Sequence, residues 1–357
     1  MSARAARLLL VVLLLGGFAL RVHGAGRFGL RLDEAGQAWA ATQPTPAAML
    51  AIQRTHAMAM PLDYLVTRAM ATLDDAEWLL RLPSAAWATL NVALLYALTA
   101  LLTGRRAEAL LAAFLLALSP LHVYYAQVLR FYASLSAFYA LSCLLLYRAL
   151  RRPAGGRWAA FGAATLVGAY FHPFVLTAFA NGVAYFLLAG PTRAQHGDPA
   201  AGAGTGQLLV GYGVALVVGL LVLPGFFVFG GTQQYDFDAL QWSGSLSRVL
   251  LGGADWTNTL YTTIGGRAAV VWRWLNLAAA ALGLIVLLAR RRPLPLSLPL
   301  GALLSVGLIL AAVVARGYWL LPRQIFHLTQ VGIFLAAVGL GGAARALAGR
   351  LGEARQR

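Results

Sequence analysis

Long apolar runs dominate the chain, and short polar breaks punctuate them. A helix needs roughly 20 largely apolar residues to cross a bilayer. On that measure the spans fall at 7–22, 83–102, 107–118, 133–150, 158–171, 173–189, 207–229, 268–288, 296–315 and a tenth that ends near Gly342. Ser119-Pro120 stops the third, and His172-Pro173 breaks the chain between the fifth and sixth, since proline cannot continue a helix. Two segments, 23–82 and 230–267, are too polar to span. The first holds Pro44, Pro46, Pro61, the acidic run Asp74-Asp75-Ala76-Glu77 and apolar stretches at 47–52 and 62–70. These features predict short helices lying on the membrane surface. Residues 191–206 read as a Gly/Ala-rich linker. The pattern predicts an all-α polytopic membrane protein, one bundle of about ten spans over 1–357 with a long first extracytoplasmic loop.

Composition supports that class. The chain is 60% hydrophobic and 11% charged, against roughly a quarter charged residues in soluble domains. The net charge is +16, and all 28 basic residues are arginine. Nucleic acid is not implied, because the arginines sit in short breaks between apolar runs, where they report topology. The single Cys143 lies inside an apolar run and excludes a disulfide framework. Residues 1–26 have the look of a signal peptide, with Arg4, Arg7 and Gly24-Ala25-Gly26, but so many later spans favour an uncleaved first helix. With the N-terminus in the cytoplasm, 16 of 28 arginines fall on the cytoplasmic side and 9 of 12 acids on the other. That is the positive-inside distribution. Chemistry is then expected to face away from the cytoplasm, where ATP and nucleotide sugars are normally absent. An enzyme there needs a membrane-borne activated substrate.

The acids are few, so the adjacent pair Asp33-Glu34, close behind the first span, needs a reason. One reading is a base at the membrane–water interface. Another is that Asp33 caps a short helix running to Trp39. Arg81 stands four residues after Glu77, the spacing of a helical ion pair. Arg130 lies in an aromatic hairpin, where snorkelling to headgroups is an alternative to a site role. Tyr124, Tyr125 and Tyr132 read as interfacial belt residues or as pocket lining. Asp236 and Asp238 form a DxD pair near Asp255, with Trp242, Trp256 and Tyr261 in the same segment; two carboxylates alone make a poor cation site.

In order along the chain stand Asp33-Glu34, Arg81-Leu82-Pro83-Ser84-Ala85, Ser119-Pro120, Tyr124-Tyr125-Ala126-Gln127 with Arg130-Phe131-Tyr132, Tyr170-Phe171-His172 and Leu321-Pro322-Arg323. This series resembles the bacterial glycosyltransferases related to protein O-mannosyltransferases and aminoarabinose transferases, the GT-C fold class. The resemblance covers about residues 5–190 well and the C-terminal half weakly. Two departures stand out. Val128 occupies a position where the family often has an acid. His56-Ala57-Met58-Ala59-Met60-Pro61-Leu62-Asp63-Tyr64 replaces a His-Pro-Pro-Leu-Tyr-Tyr pattern.

The resemblance implies inverting transfer of a sugar from a polyprenyl-phosphate carrier to a hydroxyl acceptor in lipid, glycan or protein. It places the site on the outer face of a bacterial cytoplasmic membrane, with 23–82 as the catalytic loop and 230–267 on the acceptor side. It makes Asp33 the general base, with Glu34 orienting or replacing it. Arg81 becomes the stabiliser of the leaving phosphate, with Arg130 and Arg323 as further phosphate ligands. His56, Tyr64, Tyr124, Tyr125, Gln127, Tyr132 and His172 become pocket residues. A base and a leaving-group cation suit this chemistry, because a hydroxyl is a weak nucleophile and the departing phosphate gains charge. No metal ligand set is assigned, and a divalent cation stays open. The rival reading is a transporter or lipid flippase, which predicts ionisable residues at mid-span and an internal repeat. Neither is visible, because the charges cluster at span ends.

Overall fold

A computed structural model describes residues 2–55, 60–189, 205–229, 252–316 and 322–356. Its helices are α1 (Ala3–Val22), α2 (Leu32–Ala41), α3 (Pro46–Gln53), α4 (Pro61–Ala71), α5 (Glu77–Thr103), α6 (Arg106–Ala117), α7 (Pro120–Ala126) and α8 (Tyr132–Arg151). There follow α9 (Gly155–Phe171), a 3-10 turn (Pro173–Ala178), α10 (Phe179–Ala189), α11 (Thr205–Leu220), α12 (Val222–Phe229) and α13 (Gly252–Arg290). The chain ends with α14 (Pro293–Arg316), a 3-10 turn (Pro322–Leu328) and α15 (Thr329–Gln356). Among the described residues seven helices are long and apolar enough to span a membrane, or eight if the bent pair α6–α7 counts as one. The sequence pattern gave about ten. The difference lies chiefly in the fifth and sixth runs, since α9 has 17 residues and Pro173–Ala189 is a shorter apolar helix.

Local chemistry explains the boundaries. Ser2 accepts from the amide of Ala5 to open α1, Thr45 does the same for α3 from Ala48, and Pro46 and Pro61 sit in the first turns of α3 and α4. Gly104, at φ +70°, ends α5 in the left-handed region that glycine enters without a Cβ clash. The break between α6 and α7 bends the chain by 58°. It leaves carbonyls at the α6 terminus without helical partners. Buried Arg21 of α1 donates Nη1 to Ala117 O at 3.1 Å, and its Nη2 joins the Ser119 amide on Leu116 O at 3.3 Å.

Helix α8 is central and nearly all buried, packed against α5 and α9. Its core side chains Tyr139, Leu146, Tyr147 and Leu150 belong to one hydrophobic cluster with Leu95 and Leu98 of α5 and Phe334 of α15. The α13–α15 pair packs backbone to backbone. A Cβ on Gly283 would run into the Leu335 carbonyl, and one on Gly339 into that of Ala279. Small residues serve this purpose between helices that gain nothing from hydrophobic exclusion in lipid. The surface helices α2, α3 and α4 pack on one another and against the start of α5, around Ala40, Met49 and Tyr64. That arrangement sets the first loop over the end of the bundle from which α5 begins.

Candidate active site

Glu34 lies in the first turn of α2 and is 1% exposed. Its carboxylate reaches back to the amide of Arg31 at 3.1 Å, the second half of a capping box. This corrects the simple capping reading of Asp33: the helix is capped through Glu34, and the Asp33 side chain stays on the exposed side. The other Glu34 contacts come from far along the chain. Oε1 accepts from Arg81 Nε at 2.9 Å and from the Leu129 amide at 2.7 Å, and Oε2 accepts from Arg81 Nη2 at 3.0 Å. Four donors thus meet the roughly four lone-pair sites of a carboxylate. Burial alone would push this carboxyl up. The Arg81 hydrogen bonds and charge, with the Leu129 and Arg31 amides, outweigh it and hold Glu34 below its ordinary value.

Arg81, in the second turn of α5, is equally committed. Besides Glu34 it donates Nη1 to Ala25 O at 2.6 Å and Phe28 O at 2.7 Å, and Nη2 to Gly29 O at 3.2 Å. A guanidinium has five N–H donors, and each has an acceptor here. Glu77 adds its charge at 3.7 Å. The pair therefore ties the turn after α1, the start of α2, the start of α5 and the loop after α7 into one unit.

Arg130 is placed differently. It sits in the loop between α7 and α8, and its Nη1 makes two long contacts, 3.4 Å to Asp33 O and 3.5 Å to Gln37 Oε1. Its Nε is buried without a hydrogen-bond partner. Asp33, Asp63, Tyr64 and Tyr132 surround it electrostatically. Its guanidinium lies 5.5 Å over the Phe131 ring, and Phe131 stacks on His172 at 4.1 Å. His172 Nδ1 accepts from the amide of Phe174 at 3.3 Å. At the rim, exposed Arg31 lies 4.9 Å over the ring of Tyr124 and donates to its hydroxyl.

Two participants were not singled out from the sequence. Gln37 lies one turn after Asp33 on α2; its Nε2 donates to Asp63 Oδ2 at 2.8 Å and to Thr67 Oγ1 at 2.9 Å while its oxygen faces Arg130. Asp63 opens α4, and burial raises its carboxyl above the usual value despite the Gln37 hydrogen bond and the Arg130 charge. Polar residues at i,i+4 spacing in short apolar helices, Asp33/Gln37 and Asp63/Thr67, were the available signal.

The remaining expected residues divide. Tyr64 and Tyr132 are buried next to Arg130. The Tyr125 ring packs tilted against both Tyr132 and Phe326, with centroids 4.6 Å apart in each pair. Gln127 turns toward α1 and donates to Leu20 O at 3.3 Å. His56, Asp236, Asp238 and Trp242 lie outside the described residues, as do the side chains of Asp255, Trp256, Tyr261 and Arg323. Among the described residues no three His, Cys, Asp or Glu side chains converge as a metal site would require.

The sequence model of the family described as dolichyl-phosphate-mannose-protein mannosyltransferase matches residues 57–220. The structure superposes on ArnT from Cupriavidus metallidurans in the apo state, with a TM-score of 0.60, 17% identity, and coverage of 95% of this chain and 60% of that one. The fold is that of the GT-C glycosyltransferases. ArnT bound to undecaprenyl phosphate also matches, with a TM-score of 0.59, 17% identity, and 95% and 61% coverage. So does the apo oligosaccharyltransferase of Archaeoglobus fulgidus, with a TM-score of 0.58, 12% identity, and 98% and 52% coverage. The chain thus spans about 60% of the length of the ArnT structures. No curated protein matches it in sequence.

Proposed function

We propose that this protein is an inverting glycosyltransferase that moves a hexosyl or pentosyl group from a polyprenyl-phosphate carrier to a hydroxyl acceptor. Asp33 is the general base. Glu34 cannot share that role without losing one of its four hydrogen bonds, whereas Asp33 is exposed in the same turn. The single observation that carries the reading is the contrast between the two arginines beside this turn. All five donors of Arg81 are used internally, while Arg130, next to Asp33, keeps a buried Nε without a partner. In this reading Arg130 stabilises the leaving phosphate, with Arg31 at the rim, and Arg81 holds the base-bearing turn in place. A dehydrated guanidinium aimed at developing charge acts more strongly than one in water.

Several facts support this assignment. The fold is GT-C, and one of the similar ArnT structures holds undecaprenyl phosphate. The first-loop site stands at the bundle end whose side of the chain carries most of the acids, which fits a periplasmic or external face of a bacterial cytoplasmic membrane. The test uses membranes bearing wild type or Asp33→Asn with a panel of labelled polyprenyl-phosphate sugars. Transfer should fall by about 10²- to 10⁴-fold in the variant, with folded protein retained. The acceptor fraction that gains label names the acceptor class. Undiminished transfer by Asp33→Asn refutes the base.

A further inference from the structure

Helix α5 runs 27 residues from the Arg81 end to Thr103, about 40 Å at 1.5 Å per residue. At its far end lies a second charged cluster that the transferase chemistry does not use. Glu108, in the first turn of α6, has a side chain with no exposed surface and pairs with Arg345 of α15 at 2.6 Å and Arg105 at 3.7 Å. Gly341 makes room for it, since a Cβ there would meet Glu108 Cγ at 2.7 Å. Arg290, at the end of α13, feels the charges of Arg105, Glu108, Arg345 and Arg292. Arg290 and Arg292 make no ion pair among the described residues, so two guanidinium groups pair with the one carboxylate and two more stand beside them without an acid of their own.

The turn that carries this charge is itself unusual. Arg291, at φ +48°, is the one non-glycine residue with positive φ among the described residues. Such a backbone crowds the Cβ of an L-residue against its own carbonyl, and here it lies among three consecutive arginines at a helix junction. Next to them α13 exposes Ile285 (62%) and Leu288 (55%). A concentrated uncompensated cation beside an exposed apolar helix face matches one kind of molecule, an anion with acyl chains.

We propose that Arg105, Arg290, Arg292 and Arg345, organised by Glu108 between α6, α13 and α15, form a headgroup site for an anionic phospholipid of the leaflet opposite the Asp33 site. Ordinary positive-inside arginines are spread along loops and need no convergence. Here Arg105 and Arg345 meet on one buried acid, and Arg290 at the end of α13 lies within range of all three, with Arg292 beside it. The phosphate lies against Arg290, Arg292 and Arg345, and the chains lie along Ile285 and Leu288.

The experiment titrates the purified full chain with dioleoyl-phosphatidylglycerol and counts retained lipid by native mass spectrometry. Dioleoyl-phosphatidylcholine is the neutral control. Arg290→Gln/Arg292→Gln leaves the Glu108 pairs untouched and should weaken phosphatidylglycerol binding by about 30-fold, at roughly 1 kcal/mol per cation. Arg148→Gln/Arg152→Gln removes the same charge from exposed positions at the α8 end and should leave it unchanged. Equal loss in both variants, no loss in the first, or equal retention of phosphatidylcholine overturns the proposal. So does displacement by inorganic phosphate, which would make the ligand a free anion. None of these outcomes bears on sugar transfer, so the two readings fail separately.

Discussion

Replacing Arg81 with methionine separates a scaffold role from a phosphate-binding role. The change keeps most of the side-chain bulk and removes five donors at once. It strands Glu34, whose carboxylate would keep only the Leu129 and Arg31 amides, and it strands the carbonyls of Ala25, Phe28 and Gly29. Hydrogen bonds to charged groups are each worth about 1.5–3 kcal/mol, so five would sum to about 7–15 kcal/mol. Burying the guanidinium and carboxylate costs several kcal/mol per ion and offsets most of that. Removing one member of a buried pair destabilises by about 3–5 kcal/mol in measured cases, and that range is expected here. The assay is unfolding of purified protein in mixed micelles, followed by tryptophan fluorescence, beside transfer activity. Glu34→Gln/Arg81→Met should recover part of the loss, because no buried charge is then left alone. Wild-type stability in Arg81→Met with activity abolished would refute the scaffold argument and return Arg81 to the phosphate.

Arg130→Gln should lower transfer by about 10²- to 10³-fold while the unfolding midpoint holds, checked by turnover with one labelled donor and by thermal unfolding. The folded-state carboxyl of Glu34 lies below its ordinary value of 4.5. Its stabilisation is therefore complete above about 4.5 and is lost as pH falls through the lower folded value. Acid unfolding of Glu34→Gln should accordingly be flatter with pH below 4.5 than that of wild type. Gly283→Ala should cost about 1–3 kcal/mol, because its Cβ would collide with the Leu335 backbone between α13 and α15; unfolding in mixed micelles reads the loss directly.

The sequence by itself determined the class of protein and most of the apolar runs long enough to cross a bilayer. These are legible because the bilayer acts on local segments: a run of about 20 residues is apolar or it is not. Prolines and glycines such as Pro46, Pro61 and Gly104 mark helix ends through their own backbone limits. The runs on either side of His172-Pro173 are short in the sequence, 158–171 and 173–189, as they are in α9 and α10, so apolar composition marks them as spans where length does not. What only the tertiary structure decided is how the charges were shared out. Locally, only the bond from the Arg31 amide sets Glu34 apart from Asp33. The rest of the distinction comes from Arg81, 47 residues away, and from the Leu129 amide, 95 residues away, which together fill the Glu34 carboxylate and leave Asp33 on the surface. The same long-range packing put Gln37 between Asp63 and Arg130. An arginine has five donors wherever it stands in a sequence, and only the folded chain brings acceptors to all of them at Arg81 and leaves a donor over at Arg130.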